Sequence, residues 1–231
     1  GYFSGSITHN EDFELVIPDL TRLFDAYPQL HLKIAGILDV PAALEPYKER
    51  VMTSGFVDWR ELPKVMVDCD IILAPLVDTI FNRAKSENKW LEAGLVKVPT
   101  VASQVGAFAE QVKDGETGLL VGADNDWYAA LDRLITDKTL RTQLGENAHK
   151  IAANDYSTVY TGYTLASFIR KRLARNIGFV LPSTDISGGV IVAVKHADIL
   201  RKAGWDVTLI DSVSKHALKQ AKKTYQYRSE L

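Results

Sequence analysis

Apolar strands alternating with amphipathic helices predict an α/β protein: a Rossmann-like parallel sheet flanked by helices, with a short C-terminal βαβ segment appended. Three observations carry this. Short apolar runs recur along the 231 residues, each followed by a helix-period pattern. One run, Asp70–Leu76 (DIILAPL), shows no polar alternation, as a strand covered on both faces requires. Near residue 176 the same rhythm starts afresh.

The elements follow in order. Gly1-Tyr2-Phe3-Ser4 reads as a strand from the first residue, with no initiator Met and no signal-peptide pattern, so a piece of a longer polypeptide is expected. The pattern Phe13, Val16, Ile17, Leu20, Leu23, Phe24 predicts a helix over 13–27, with Pro18 kinking it or lying in its first turn. Residues 30–36 (LHLKIAG) form a strand closed by Gly, and 51–55 a weaker one. Helices are predicted over 59–67, 86–95, 126–136 and 139–154, and strands over 99–103 (PTVAS) and 118–121 (GLLV). Alternation of this kind implies parallel pairing with right-handed crossovers.

After the basic stretch 170–175 (RKRLAR), residues 176–181 (NIGFVL) predict a strand. A Gly-containing loop (PSTDISGG), a helix over 190–203 capped by Gly204 and a strand over 206–210 follow. The expected organisation is a domain over 1–160, a linking helix over 161–175 and a partial second α/β unit over 176–231. The second unit is too short to stand as a full domain, so it docks on the first or belongs to something truncated.

Composition excludes several classes. Hydrophobic residues make up 46% of the chain, enough for a sizeable core, and no apolar run approaches the ~20 residues that span a bilayer. The charges nearly balance, 27 basic against 29 acidic, which argues against a nucleic-acid partner. The single cysteine, Cys69, excludes an intramolecular disulfide framework and is read as core packing. His31, His149, His196 and His216 lack metal-ligand spacing, so no metal site is expected.

The chemistry is densest at residues 81–94 (FNRAKSENKWLEAG), directly after the DIILAPL strand, where open α/β sheets bind ligands. Ser86 is the expected N-cap of the following helix, whose free N–H groups suit an anion. Lys85, Lys89 and Glu92 recur at steps of four and three and share one helical side if the first turn includes Lys85. Two ammonium groups there suit a diphosphate, and a carboxylate one turn deeper suits two ribose hydroxyls. A solvated Lys/Glu face is the other reading, against which stand the apolar neighbours Trp90, Leu91, Ala93, Gly94 and Leu95.

A second candidate is the first loop, where Gly5 permits close backbone approach and His9 is a candidate catalytic base or phosphate donor. Asp12 reads there as a cap of the next helix. A third is the loop around Gly106 and Glu110. Neither a Gly-x-Gly-x-x-Gly nor a phosphate-loop motif is present, so a dinucleotide enzyme or an ATPase is not supported.

The order of a Gly-Ser loop, LKIAG, SGFVDW, DIILAPL, KSENKWLEAGLVKVPTVAS and DGETGLLV resembles the C-terminal, nucleotide-sugar-binding domain of GT-B glycosyltransferases of the large retaining family 4 group. The THNEDF and KSENK variants are similar to transferases of bacterial surface polysaccharide assembly, including rhamnan-type synthesis proteins. The resemblance covers residues 1–155. It implies that Glu92, the second glutamate of the family's E-x7-E motif, holds the ribose, and that Lys85, Ser86 and Lys89 face the diphosphate. It places Gly5 and Ser6 beside the donor, the backbone of Phe56 and Val57 at the base, and Gly106 and Glu110 near the donor.

Two departures stand out. Ala84 occupies the place of the first glutamate, and the family's Arg/Lys pair of the first loop and helix is missing, its contacts shifted to Lys85 and Lys89. Residues 176–211 resemble the start of a second GT-B N-terminal domain, with Gly188-Gly189 matching its glycine loop. The resemblance thus implies a retaining, metal-independent transferase domain that binds a nucleoside diphosphate sugar and needs no further cofactor. The expected partners are a glycan acceptor and an N-terminal acceptor domain of the parent chain. The expected place is the cytoplasm, at the inner face of the membrane. A non-catalytic nucleotide-sugar-binding scaffold, favoured by Ala84, and a sugar-nucleotide epimerase are the alternatives.

Overall fold

The computed structural model describes residues 1–5, 9–124, 126–171, 176–181 and 188–211. They divide into two compact units, Gly1–Ala153 and Asn154–Leu231.

The first unit runs β1 (Tyr2–Ser4), α1 (Asn10–Glu14), α2 (Ile17–Ala26), β2 (Leu32–Gly36), a 3₁₀ helix (Ala42–Arg50), β3 (Val51–Ser54), α3 (Leu62–Met66), β4 (Ile72–Ala74), α4 (Ile80–Arg83), α5 (Asn88–Leu95), β5 (Thr100–Ser103), α6 (Gly106–Gln111), β6 (Leu119–Val121), α7 (Trp127–Thr136) and α8 (Lys138–Asp155). Its six strands form one sheet in the order β3-β2-β1-β4-β5-β6, every pair parallel. The register sets Tyr2 opposite Ile34 on one side and Leu73 on the other.

Neighbouring residues of a strand point to opposite faces, and the core records this. Tyr2, Ile34 and Leu73 join the cluster of Phe13, Phe24, Trp127 and Leu131. Phe3, Ala35 and Ile72, one residue along, join Met66, Ala93 and Val98. Both faces are covered, which is why the central strands are apolar without alternation.

The helix predicted over 13–27 is two helices. Pro18 lies in the first turn of α2, where its missing N–H costs nothing, so a new helix starts at Ile17 after a turn closed by Val16 N–H on Phe13 C=O. The 3₁₀ helix was not expected, since Pro46 interrupts it and its apolar pattern is weak. Asp126 caps α7 by accepting from the Ala129 N–H at 2.9 Å. Gly36, closing β2, has φ +111°, and a Cβ there would lie 1.8 Å from the Ser4 carbonyl oxygen. That contact lets the ends of β1 and β2 lie side by side.

The second unit holds α9 (Thr158–Arg170), β7 (Asn176–Leu181), α10 (Gly188–Lys202) and β8 (Asp206–Asp211). β7 and β8 pair in parallel from Asn176↔Asp206 to Leu181↔Asp211. Ala197, Leu200, Trp205 and Val207 form its core with Ala166 and Ile169 of α9. Gly204 has φ +84°, as a helix-ending glycine does. Gly188 and Gly189 open α10 rather than preceding it. Among the described residues no helix is long and apolar enough to cross a membrane.

Candidate functional site

The strand order reverses direction between β1 and β4. Chain leaving β1 turns outward to β2, and chain arriving at β4 goes on to β5 on the other side. The segments that leave the carboxyl ends of these two strands diverge and open a crevice, the place where open α/β sheets bind ligands. On one side lie Gly5 and residues 9–14 with α1, and on the other 75–95 with α4 and α5.

Asp12 joins the two sides. Its side chain is 2% exposed, although it sits in the first turn of a five-residue helix. Its Oδ1 accepts from the Val77 N–H at 2.9 Å and from the Asn82 side-chain amide at 2.8 Å. Its Oδ2 lies 3.0 Å from His9 Nδ1 and 3.3 Å from Lys85 Nζ. Burial alone would raise this carboxyl. The bonds from His9 and Val77 and the charge of Lys85 outweigh burial and bring it down to about 2. A carboxylate only accepts, so His9 donates through Nδ1 and keeps Nε2 for another partner. Asn82 also donates to the Val77 carbonyl, and Thr79 caps α4 by accepting from the Asn82 N–H, so the turn after β4 is bolted at both ends.

Helix α5 is held by its other face. Trp90, Ala93 and Gly94 are buried, and the Trp90 indole donates to the Thr117 carbonyl at 2.8 Å. This leaves Lys89 and Glu92, three residues apart, on one side of the helix. Lys89 Nζ is buried with no hydrogen-bond partner among the described residues, 4.6 Å from the centre of the Tyr2 ring. Desolvation pulls its ammonium down to about 8; the Asp12 carboxylate opposes that pull and Lys85 adds to it. Glu92 is open to solvent at its edge, yet enough protein surrounds it that desolvation raises its carboxyl, with Lys89 acting the other way. Tyr2, beneath Lys89, has its hydroxyl pushed up by burial and by Asp12, and donates to the His9 carbonyl.

The structure thus brings His9, Lys85 and Lys89 around Asp12, with Glu92 one turn on from Lys89. Gly5 lies at the exposed end of β1, where an added Cβ would meet nothing within 4 Å. Ser6 lies outside the described residues. Ser86 is exposed and is not the helix cap, since α5 begins one residue later than expected, with Glu87 at its N-cap position and no side-chain cap bond. Lys85 therefore precedes the helix and meets the cluster through its long side chain rather than by helical spacing.

Phe56 stands 71% exposed beyond β3, and Val57 packs partly against the Phe3–Met66 cluster. Gly106 has φ +53°, and a Cβ there would lie 2.7 Å from the Arg83 carbonyl oxygen, so the close approach it permits is to the backbone of α4. Glu110 is exposed on α6. Sequence reasoning passed over Asp12, read as a cap, and Asn82 and Tyr2. The available signal was spacing: His9 and Asp12 are three apart on one loop, as are Asn82 and Lys85 on the other. Among the described residues no cluster of His, Cys, Asp or Glu is placed to hold a metal ion.

The family model of the group 1 glycosyl transferases matches residues 2–137, which takes in the whole crevice. The chain belongs to this family. Among curated relatives of this glycosyl transferase domain, a D-inositol 3-phosphate glycosyltransferase of Stackebrandtia nassauensis is 36% identical over 96 residues, covering 41% of this chain and 20% of the relative. Its counterpart in Corynebacterium diphtheriae is 28% identical over 166 residues, covering 66% and 38%. The chain thus spans well under half the length of these relatives.

Among solved structures, HepE of Anabaena in complex with UDP superposes with a TM-score of 0.60 at 20% identity, covering 74% of this chain and 48% of that one. The C-terminal domain of the group 1 protein LpcC from Francisella tularensis gives 0.51 at 21% identity, covering 68% and 85%. The fold is therefore the Rossmann-like half of a GT-B glycosyltransferase.

Proposed function

We propose that this domain binds a nucleoside diphosphate sugar at the β1/β4 crevice and supports transfer of the sugar to a polysaccharide or glycan acceptor. The observation that carries the reading is the face of α5. There a buried ammonium with no hydrogen-bond partner among the described residues and an exposed carboxylate stand one turn apart at the edge where the fold binds ligands. Leaving the buried Lys89 ammonium without a hydrogen bond is costly unless a ligand completes it, and the exposed Glu92 carboxylate beside it is free to accept from the same ligand. In this reading Lys89, Lys85 and His9 receive the diphosphate and Glu92 the ribose hydroxyls. Phe56 and Val57 line the base, and Gly5 gives the donor room. The solved structures of HepE with UDP and with UDP-glucose support the donor class.

When the glycosidic C1–O bond breaks, the electron pair goes to the diphosphate oxygen, and these cations stabilise the charge. They stand where a divalent cation would otherwise be needed, so transfer is metal-independent in this reading. Retention of the anomeric configuration follows from the family resemblance. The acceptor half lies in another domain of the parent chain. Titration of this chain with UDP, GDP, dTDP and CMP, with EDTA or with Mg²⁺, tests the donor site. One nucleoside diphosphate is expected to bind equally in both, and Lys89→Ala and Glu92→Ala to weaken it. Absence of binding by all four, or binding that neither variant alters, overturns the assignment.

A further inference from the structure

We propose that Asp12 is the positioning residue of the donor site: its carboxylate sets Lys85 and the His9 ring for the diphosphate and locks the two loops of the crevice to one another. This rests on the donor-site reading above. The two oxygens of Asp12 have different tasks. Oδ1 binds two groups of the 77–82 turn, which fixes the backbone. Oδ2 binds His9 and Lys85, one cationic or polar group from each loop. The carboxylate is therefore a hinge pin with a functional end. Held by Oδ2, Lys85 stays folded over its own loop, 5.2 Å from the centre of the Phe81 ring, instead of swinging into solvent. His9 is fixed with Nδ1 as donor, so Nε2 is the nitrogen presented to a ligand.

The charge balance sharpens the inference. The groups facing Asp12 are His9, Lys85, Lys89 and Tyr2. Two ammonium groups against one carboxylate leave net positive charge for a diphosphate. By Coulomb's law alone, deleting the carboxylate should tighten binding, since it removes a repulsion. A positioning role requires the opposite sign, because ordering the cations before the ligand arrives is what lowers the cost of binding. Electrostatics and positioning thus make contrary statements about one substitution.

The test uses the whole chain with Asp12→Asn and Asp12→Glu, each first checked by thermal melting. Calorimetric titration with UDP, GDP, dTDP, CMP and their nucleosides then separates phosphate from base binding. For the diphosphate that the unaltered chain binds, Asp12→Asn is expected to weaken affinity about tenfold or more, the worth of one charged hydrogen bond lost when Lys85 or His9 is no longer held in place. Affinity for the nucleoside is expected to stay unchanged, and Asp12→Glu to restore part of the loss. Binding as tight as or tighter than the unaltered chain, or equal losses for nucleotide and nucleoside, overturns the positioning role alone. Failure of the unaltered chain to bind any of the four overturns the donor reading and this inference together.

If the variants do not fold, ¹⁵N NMR of the unaltered chain decides. The His9 ring is expected to carry its proton on Nδ1 and to shift when pyrophosphate is added. A proton on Nε2, or no response, overturns the proposal.

Discussion

The two segments that border the crevice handle charge in opposite ways. On the His9–Asp12 side the buried charge is satisfied: Asp12 has four partners and lies at about 2. On α5, Lys89 is buried with no hydrogen bond among the described residues and displaced to about 8, and desolvation raises the carboxyl of the exposed Glu92. A satisfied group stabilises and positions; a group left short waits for a ligand. The contrast gives each segment its own mutational signature, stability on one side and affinity on the other.

The largest effect falls on the satisfied side. Asp12→Ala leaves the Val77 N–H, the Asn82 amide and the Lys85 ammonium without their partner. Breaking a buried ion-pair cluster of this kind costs about 3–5 kcal/mol. Denaturant unfolding of the chain should show that loss, and an unchanged midpoint would erase the contrast from this side.

Lys89→Met should act with the reverse profile. Replacing a buried ammonium that lacks a hydrogen bond among the described residues by an apolar chain of similar length is expected to stabilise the first unit by about 1–2 kcal/mol. The same change should weaken nucleoside diphosphate binding about ten- to a hundredfold, since a charged hydrogen bond is lost. A variant that is both more stable and fully competent in titration would reduce Lys89 to a packing residue.

Much of this was legible in the sequence, for physical reasons that differ by level. The parallel sheet was written in unalternating runs such as DIILAPL, because burial on both faces leaves no polar position. The β7–α10–β8 unit was equally plain, down to Gly204 as the helix end. That Lys89 and Glu92 share one side of α5 was legible because helical spacing alone puts them there. Asp12 was not, since its partners Val77, Asn82 and Lys85 lie 65 to 73 residues away, and only the folded switch point brings them together. Local pattern favours reading an Asp before an apolar helix as a cap. Ser86 failed for the mirror reason: a good capping residue was present, but the turn tied to Asp12 delays the helix to Asn88.

The displaced Lys89 gives the contrast a pH signature. Its folded value, about 8, lies below the usual lysine range, so the unfolded chain binds the extra proton as pH rises from 8 towards 10. Stability therefore increases over that window and the burial penalty is fully present below it. Binding moves the other way, because a diphosphate wants the ammonium charged. From pH 7 to 9 the dissociation constant should rise about tenfold, with proton uptake on binding near pH 8. Lys89→Met should flatten both profiles. Calorimetry in buffers of different ionisation enthalpy counts the proton directly, and a count of zero at pH 8 would separate Lys89 from the ligand.

The smallest effect distinguishes the roles within α5. Glu92→Gln keeps the shape and one acceptor oxygen but gives up the charge, so a ribose hydroxyl exchanges a charged hydrogen bond for a neutral one. That difference is about 1 kcal/mol, or roughly fivefold in affinity. Because Glu92 is exposed and makes no hydrogen bond or ion pair among the described residues, melting should stay unchanged, in contrast to Asp12→Ala. The control is the ligand: a 2′,3′-dideoxynucleoside diphosphate lacks both hydroxyls, so it should bind the unaltered chain and Glu92→Gln alike. If the fivefold loss persists with the dideoxy ligand, Glu92 acts through Lys89 and the field at the phosphates rather than through the ribose. The division of labour on α5 would then shrink from two contacts to one.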